Sequence, residues 1–525
     1  MGTSAYAPIQ TYVAQLSWSF AQIGKQLWQK AGLVYTAIRW EWVIIGLGVL
    51  LRLTRYLDNR SLWIDEAFIT LNILNKSFAD FLGPLDLGQA APVGWLVLQK
   101  LVVQAFGDSE YSLRLLPFLS GVASLFLFYA VARHYIKPIA LPIALGLFVI
   151  SEWLVYYSSE VKQYSSDVTI ALLLLLVTSY VQRKGFTPGW LSILGVTGAV
   201  CVWFSHPALF VLAGVGVGLG IPCLVRREWA RAGWLSAVGF TWLVSFLAAY
   251  VIALHNIDTE FFVRTQGQWL MPFPPSSPAD VWWFVTTFFG IFLEPASFAL
   301  TGIAALTFLV GCFSIFSESK EKLLILLSPA LFVLVASAFD KYLFGSRFLL
   351  FFVPVMLLLI GEGAGHIWNT TRHNAPVIGV TVIGLLFLLL IHQAIWFQFK
   401  PNYIREEIKP VMAYLRDHRQ DGDVLYLYWA AQYAFEYYQD RYGFDKDDYV
   451  AGTAAVGDFE AYTADLEELR GNVRVWVLFS HDVWGESRFF LGRLDTVGRR
   501  LDSFYTVGAM VHLYDLGQDQ SLANR

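Results

Sequence analysis

The segment WVIIGLGVLLRLTRYLDNRSLWIDEAF (residues 42–68) joins a long apolar run to a loop that carries two adjacent carboxylates, Asp65 and Glu66. Apolar runs of similar length recur as far as residue 397. Hydrophobic residues make up 56% of the 525-residue chain and charged residues 15%, against about 25% charged in a typical soluble domain. Because a helix that crosses a bilayer needs roughly 20 apolar residues, the sequence predicts a polytopic α-helical membrane protein.

About eleven apolar stretches have spanning length. They lie at about 41–57, 113–133, 138–156, 166–182, 189–205, 207–225, 234–254, 296–316, 322–338, 347–366 and 376–397. Three further stretches, 70–82, 91–106 and 281–294, are interrupted by polar residues or proline, and we predict helices that lie along the membrane interface. Residues 1–39 lack the features of a cleaved signal peptide, and their apolar spacing predicts an interfacial amphipathic helix.

The chain after the last span is more charged and changes pattern. Short β-rich runs at 423–429 and 473–479 alternate with helical stretches at 408–419 and 458–470, which predicts a small soluble α/β domain. We therefore expect an N-terminal helix (1–39), a transmembrane domain (40–398) with its first outer loop at 58–112, and a C-terminal domain (399–525). The tail has no glycine-rich phosphate loop or catalytic triad spacing, so the sequence assigns it no catalytic role.

Basic clusters between the predicted spans fix an orientation. Most of them, for example Arg226, Arg227 and Arg231, fall on one side, which the positive-inside rule identifies as cytoplasmic. The loops 59–68, 156–167 and 339–348 and the C-terminal domain then lie on the extracytoplasmic side of an inner (plasma) membrane. The net charge of −4 and the lack of a basic run do not suggest a nucleic-acid partner, and we expect none. The cysteines Cys201, Cys223 and Cys312 lie inside apolar segments and indicate no disulfide framework.

These outer loops carry carboxylates and cations whose roles have two interpretations each. Asp65 is a solvated or helix-capping residue, or a general base whose pKa an apolar surround raises toward working pH. Glu160 and Lys162 form an ordinary rim ion pair, or part of a site. Lys341 and Arg347 snorkel to lipid headgroups, or bind a phosphate. Together on one membrane face, these side chains suit a site that binds a lipid-linked phosphate and deprotonates a neighbouring group.

Several motifs, in this order and spacing, resemble the membrane-embedded glycosyltransferases of the GT-C superfamily. They are LWIDEAF (62–68), GQAAPVGWLVLQ (88–99), FGDSEYSLRLLP (106–117) and YYSSEVKQYS (156–165), after a first span that ends with Arg52 and Arg55. The branch that looks most similar is glycosyltransferase family 39, which holds protein O-mannosyltransferases and aminoarabinose-transferase-like proteins. The resemblance covers the first 210 residues well, the later spans by pattern and the tail by general architecture.

The resemblance implies an enzyme that moves a sugar from a polyprenyl-phosphate donor to a hydroxyl of a lipid, glycan or protein acceptor. It assigns the role of catalytic base to Asp65, with Glu66 adjacent, and a second acidic position to Glu160. Lys162 stands where relatives often have arginine, and Ala91-Pro92 where a double proline is common. Neither the chemistry nor the resemblance requires a cofactor. Whether a divalent ion joins Asp65 and Glu160 stays open.

The chemistry needs a base for the acceptor proton and cations for the leaving phosphate, and attack opposite that phosphate inverts the anomeric centre. The candidate donor-phosphate ligands are Lys162, Lys341 and Arg347. The candidate substrate-binding residues are Gln89, Gln163, Tyr164, His206 and Tyr342. We expect a cavity lined by Asp65, Glu160 and Lys162 near Lys341 and Arg347. The alternatives are a membrane transporter or flippase for a lipid-linked envelope precursor, and an assembly protein without catalysis.

Overall fold

The computed structural model describes residues 39–253, 255, 266–399, 405–482 and 485–517. The predicted N-terminal helix at 1–39 lies outside these residues apart from Arg39. The helices of the membrane part are Trp40–Leu57, Ile64–Asn75, Val93–Phe106, Glu110–Tyr135, Leu141–Ile150, Glu152–Tyr156, Tyr164–Lys184, Pro188–Phe204, Ala208–Val225, Trp229–Ile252, Pro278–Leu293, Thr301–Glu318, Lys320–Ala338, Val353–Thr371 and Pro376–Phe399. A short 3₁₀ turn at Tyr157–Ser159 precedes the loop with Glu160 and Lys162, and a second 3₁₀ turn at Ser346–Phe352 contains Arg347.

The predicted count of eleven spans is not confirmed, although every predicted stretch is largely helical. In the described ranges, eight helices are long and apolar enough to cross a membrane. A ninth arises if Leu141–Ile150 and Glu152–Ser159, which meet at a 55° bend, form one broken span. Two predicted spans are not among these helices. The helix Trp40–Leu57 contains three charged residues, Glu41, Arg52 and Arg55, and the helix Pro188–Phe204 has only 17 residues. The chain is a multi-pass membrane protein.

The helix Val353–Thr371 runs through the centre of the bundle and is buried along most of its length. Close approach to Thr301–Glu318 depends on glycine. A Cβ added at Gly311 would lie 1.9 Å from the carbonyl oxygen of Leu359, and one at Gly363 would lie 1.8 Å from that of Thr307. This tight packing fixes the helix that follows the 3₁₀ turn Ser346–Phe352, and therefore fixes the position of Arg347.

The stretches predicted as non-spanning helices are helical in Ile64–Asn75, Val93–Phe106 and Pro278–Leu293. Their position along the membrane interface stays a prediction. The first of them is not a solvent-covered loop helix, because Ile69, Leu71 and Ile73 are buried. It packs in the same apolar cluster as Leu415 and Phe435 of the C-terminal part.

The predicted C-terminal α/β domain is confirmed. Its strands are β1 (Val424–Leu427), β2 (Val450–Ala451), β3 (Val475–Ser480), β4 (Arg499–Thr506) and β5 (Ala509–Asp515). They form one sheet in the order β2-β1-β3-β5-β4, and four helices lie between or before them. β1 is parallel to β2 and to β3, whereas β5 is antiparallel to β3 and β4. The helices are Ile408–His418, Gln432–Tyr442, Phe459–Glu468 and Glu486–Val497.

Candidate active site

Asp65 lies in the first turn of the helix Ile64–Asn75, which starts after Trp63 in an extended conformation. Trp63 provides no side-chain cap for this helix. The backbone N–H of Ile64 instead donates to Oε2 of Glu406 at 3.1 Å, a residue at the beginning of the C-terminal domain. The positive end of the helix dipole favours the ionised form of a carboxylate in this first turn.

Each oxygen of the Asp65 carboxylate receives one cationic side chain. Lys162 Nζ donates to Oδ1 at 2.9 Å, and Arg347 Nη1 donates to Oδ2 at 2.5 Å. Lys162 also donates to Oε1 of Gln89 at 2.7 Å. The Arg347 guanidinium lies over the ring of Tyr164, 5.6 Å from its centroid. The structure thus brings together five residues that the sequence predicted from three separate outer loops.

The electrostatics of Asp65 differ from the expectation. Burial alone would raise the pKa of this carboxyl, but Arg347 and Lys162 outweigh burial and hold the pKa of Asp65 well below its usual range. The prediction that an apolar surround raises this pKa is therefore wrong. Burial lowers the pKa of the Lys162 ammonium, against the opposing attraction of Asp65.

Glu66, predicted beside Asp65 as a catalytic residue, lies inside the protein. Its side chain is 0% exposed, and its two oxygens accept from Arg114 Nε at 2.9 Å and Nη2 at 2.7 Å. The Val161 N–H donates to the same carboxylate at 2.9 Å. Burial acts to raise the pKa of Glu66, but Arg114 and Arg60 hold it below its usual value. These contacts give Glu66 the geometry of a structural ion pair that joins the helices Ile64–Asn75 and Glu110–Tyr135.

Glu160 is also buried, directly behind the first loop. Its Oε1 accepts from Trp63 Nε1 at 3.2 Å, and Arg60 Nη2 lies 3.9 Å from its Oε2. Burial and the neighbouring charge of Glu66 raise the pKa of Glu160. Glu160 therefore holds a proton more readily than Asp65 does, because the pKa of Glu160 is raised and that of Asp65 is lowered.

The remaining predicted residues are divided between the site and its surroundings. Gln163 Nε2 donates to the carbonyl oxygen of Ala90 at 3.3 Å, next to Gln89. Tyr342 donates to the carbonyl oxygen of Phe348 at 3.1 Å and so braces the turn behind Arg347. Lys341 is exposed, and in the described residues its side chain has no ion pair with Asp65.

His206 lies between the helices Pro188–Phe204 and Ala208–Val225. Burial lowers the pKa of its imidazole to about 4, so the ring is neutral at physiological pH. In the described part of the chain, none of the hydrogen bonds or ion pairs around Asp65 involves it. The structure does not bring His206 into the ion-pair cluster.

An open cavity of about 190 Å³ lies on the other side of Arg347. It lacks Asp65, Glu160 and Lys162 in its lining, contrary to the expected composition, and contains Arg347 as the shared residue. Its walls combine four aromatic rings with two arginines and three polar side chains. The lining residues are Trp153, Tyr157, Gln266, Trp269, Glu294, Ser346, Arg347, Phe348 and Arg405.

A glycine at position 345 allows the turn before Arg347 to pack against Trp269, which forms one wall of this cavity. A Cβ there would lie 2.0 Å from Cε3 of Trp269, and the Phe344 N–H donates to the carbonyl oxygen of Trp269 at 2.8 Å. The turn before Arg347 therefore packs directly on the indole. Ser346 donates a hydrogen bond to Glu294 on the same wall.

Sequence reasoning missed three arginines at or behind the site. Arg60 and Arg114 neutralise the buried carboxylates, and Arg405 lines the cavity. Arg60 and Arg114 stand within quoted or adjacent motifs, and Arg405 begins the charged run REE after the last span. Their positions beside predicted site segments were the available signal. In the described residues, no cluster of three or more His, Cys, Asp or Glu side chains has metal-binding geometry.

No protein-family model matches the sequence, and no curated protein matches it. Among solved structures, ArnT from Cupriavidus metallidurans in the apo state is similar at 14% identity, with a TM-score of 0.54 over 91% of this chain and 98% of ArnT. ArnT bound to undecaprenyl phosphate is similar at 13% identity, with a TM-score of 0.53 over 90% of this chain and 98% of that one. The Archaeoglobus fulgidus oligosaccharyltransferase in complex with Zn and sulfate is similar at 13% identity, with a TM-score of 0.50 over 90% of this chain and 73% of that one.

At these identities the likeness concerns the fold. It extends over nine-tenths of the chain and includes the transmembrane bundle and the C-terminal domain. The fold predicted from the resemblance is confirmed at this level: the chain shares the overall fold of these ArnT and oligosaccharyltransferase structures, with a small C-terminal α/β domain.

Proposed function

We propose that this protein is an inverting glycosyltransferase that moves a sugar from a polyprenyl-phosphate donor to a hydroxyl of a lipid, glycan or protein acceptor. The observation that carries the proposal is the Asp65 carboxylate held between Lys162 and Arg347, of which Arg347 also lines an aromatic-walled cavity. The ArnT structure bound to undecaprenyl phosphate supports the choice of donor by analogy of fold.

The charges at Asp65 favour an incoming phosphate. Two cations share one carboxylate, so the cluster carries one net positive charge when both cations are protonated. Arginine binds phosphate through directed N–H groups, and such charge-assisted bonds are among the strongest hydrogen bonds in proteins. A donor phosphate at Arg347 competes with Asp65 for the same guanidinium.

This competition links donor binding to proton acceptance. Arg347 and Lys162 hold the pKa of Asp65 low in the donor-free protein, and a carboxylate with a very low pKa is a weak general base. When the phosphate draws a cation away, the pKa of Asp65 rises towards its ordinary value. Asp65 then accepts a proton more effectively while the donor is bound.

The proposed step balances without a cofactor. The bond between the anomeric carbon and the phosphate oxygen breaks, and both electrons stay with the polyprenyl phosphate. The acceptor oxygen forms the new bond from the opposite face and gives its proton to Asp65. The cations stabilise the second negative charge that develops on the leaving phosphate.

The cavity suits the sugar and phosphate portion of such a donor. Aromatic side chains such as Trp153 and Trp269 offer flat apolar faces, and Glu294 and Gln266 offer hydrogen-bond partners for hydroxyls. We place the site and the C-terminal domain on the extracytoplasmic side of the inner (plasma) membrane, since the basic loops occupy the opposite side. Membrane lipid is a direct neighbour because the prenyl tail stays in the bilayer.

Cells that lack the protein, complemented with the wild type or with Asp65→Asn, test this function. Mass spectrometry of envelope glycolipids, glycans and glycoproteins should show a sugar modification that returns with the wild type and not with Asp65→Asn. Asp86→Asn serves as the matched control, because Asp86 lies in the same loop and is 70% exposed. Full modification with Asp65→Asn would contradict catalysis and favour a transporter or an assembly protein.

A further inference from the structure

Three consecutive residues at the start of the C-terminal domain contact the membrane-embedded site. Glu407 accepts from both the N–H and the hydroxyl of Ser61 at 2.9 Å. Glu406 accepts from the Ile64 N–H at 3.1 Å, immediately before Asp65. Arg405 lines the cavity that Arg347 also lines. The loop that carries Asp65 and the segment that carries Arg405 are therefore held as one unit.

The Glu406 carboxylate is itself fixed by the domain behind it. It is buried, and it accepts from Ser480 Oγ at 3.3 Å and forms a short contact with His481 Nδ1. Thr506 Oγ1 donates to the carbonyl oxygen of Glu407 at 2.7 Å. The backbone on the C-terminal side of Arg405 is consequently anchored, which directs this side chain to one place.

Arg405 differs from the other arginines near the site in its partners. Its guanidinium lies 4.1 Å from the ring centroid of Trp63 and 5.6 Å from that of Tyr156. Among the described residues, no carboxylate forms an ion pair with it within 4.0 Å, whereas Arg347 is paired with Asp65. The side chain is exposed and is part of the cavity lining. Stacking on aromatic rings leaves the N–H donors of a guanidinium available at its edge.

The shared cavity makes a bound anion favourable. The guanidinium groups of Arg347 and Arg405 line the cavity together with one carboxylate, that of Glu294, and an anion that lies between the two guanidinium groups is attracted to both. The aromatic walls exclude part of the surrounding water, which strengthens such contacts. A phosphate group fits this chemistry, because its oxygens accept several N–H bonds at once.

We propose that Arg405 is a donor-phosphate ligand, supplied to the membrane-embedded site by the C-terminal domain. This inference rests on the proposed function and deepens it, because it gives the C-terminal domain a direct part in donor binding. Glu406 and Glu407 act as positioning residues for both Arg405 and the loop of Asp65.

Binding of undecaprenyl phosphate to the purified full-length protein in detergent tests the proposal. Arg405→Ala should weaken this binding by about tenfold or more, because one charge-assisted hydrogen-bond partner is lost. Arg405→Lys should bind with intermediate affinity, since it keeps the charge and loses the planar fork. Arg416→Ala is the control, because Arg416 is 51% exposed and pairs with Asp417 on the same domain. Unchanged affinity in a folded Arg405→Ala or Arg405→Lys protein would overturn the proposal.

Competition by inorganic phosphate identifies the recognised group. Displacement of the lipid from the wild type by inorganic phosphate, weakened in Arg405→Ala, would show that the phosphate group alone suffices. If inorganic phosphate does not displace the lipid but undecaprenyl phosphate does, and if this displacement is weaker in Arg405→Ala, the site recognises the lipid-linked phosphate. Equal competition in both proteins would contradict a contact between Arg405 and phosphate.

Kinetics separate this inference from the function on which it rests. If the wild type transfers sugar and Arg405→Ala keeps the wild-type donor KM, the inference alone fails. If undecaprenyl phosphate binding depends on Arg405 but the wild type transfers no sugar, the proposed function fails and the phosphate site stands.

Discussion

Glu66→Gln distinguishes a structural carboxylate from a catalytic one at the position next to Asp65. The substitution keeps the size of the side chain and removes its charge. It leaves the Arg114 guanidinium, which is 2% exposed, without the carboxylate that accepts two of its N–H groups. The amide also has only one oxygen to share between Arg114 and the Val161 N–H.

The expected cost follows from burial. Removal of one partner from a buried ion pair costs about 3–5 kcal/mol, because the remaining charge is left uncompensated. Glu467→Gln is the matched control, since Glu467 pairs with Arg470 at 2.7 Å but the two side chains are 44% and 40% exposed. Exposed pairs contribute about 0–1 kcal/mol. Glu66→Gln should therefore lower the free energy of unfolding several-fold more than the control does.

Thermal unfolding of the purified protein in detergent, followed by tryptophan fluorescence, measures this difference. We expect the midpoint of Glu66→Gln to fall by about 5 °C or more, and that of Glu467→Gln to stay close to the wild type. Because the folded-state pKa of Glu66 is depressed, its contribution is present above the unfolded pKa and lost as pH falls through the folded pKa. The difference in unfolding midpoint between the wild type and Glu66→Gln should therefore become smaller at acidic pH. A variant as stable as the wild type that binds donor but does not turn over would instead make Glu66 catalytic.

Three further predictions concern binding, acidity and sidedness. Arg347→Ala should raise the donor KM by about tenfold or more, with Arg416→Ala as control, and an unchanged KM would remove Arg347 from the phosphate site. Lys162→Met removes one of the cations that lower the pKa of Asp65, so the acidic limb of the pH profile of kcat/KM should move to higher pH. An acidic limb at the wild-type pH would show that this limb does not report the ionisation of Asp65. An exposed Lys341→Cys should react with an impermeant thiol reagent from outside the cell and Arg226→Cys only after permeabilisation, and the reverse pattern would invert the topology.

The membrane fold was predictable because its signal is local. Apolar runs and their spacing identify helices without knowledge of their neighbours, and alternating helix and strand patterns identified the C-terminal sheet. The number of spans was less predictable, since charged residues such as Arg52 and Arg55 shorten the apolar part of a helix that still forms. Whether such a helix crosses the bilayer depends on what covers those charges.

For the site, the sequence predicted only that these side chains lie on the same face of the membrane. Asp65 and Arg347 are 282 residues apart, and nothing local specifies their contact. Asp65 and Glu66 look equivalent in sequence, but consecutive helical residues point about 100° apart, so one meets the cations of the site and the other enters the protein. Lys341 and Arg347 share one loop, yet the turn around Gly345 brings only Arg347 to Asp65. Arg405 was missed because its role depends on a cavity formed by distant segments.

The turnover of purified wild type and Asp65→Asn with a polyprenyl-phosphate sugar is the most direct test of the central claim. The sugar should be the one that mass spectrometry identifies in complemented cells, and the anomeric configuration of the product should be read by NMR. We predict an inverted product and a fall in kcat of about 100-fold or more in Asp65→Asn, with donor affinity retained. A folded Asp65→Asn protein that turns over at the wild-type rate would contradict the assignment of Asp65 as the general base.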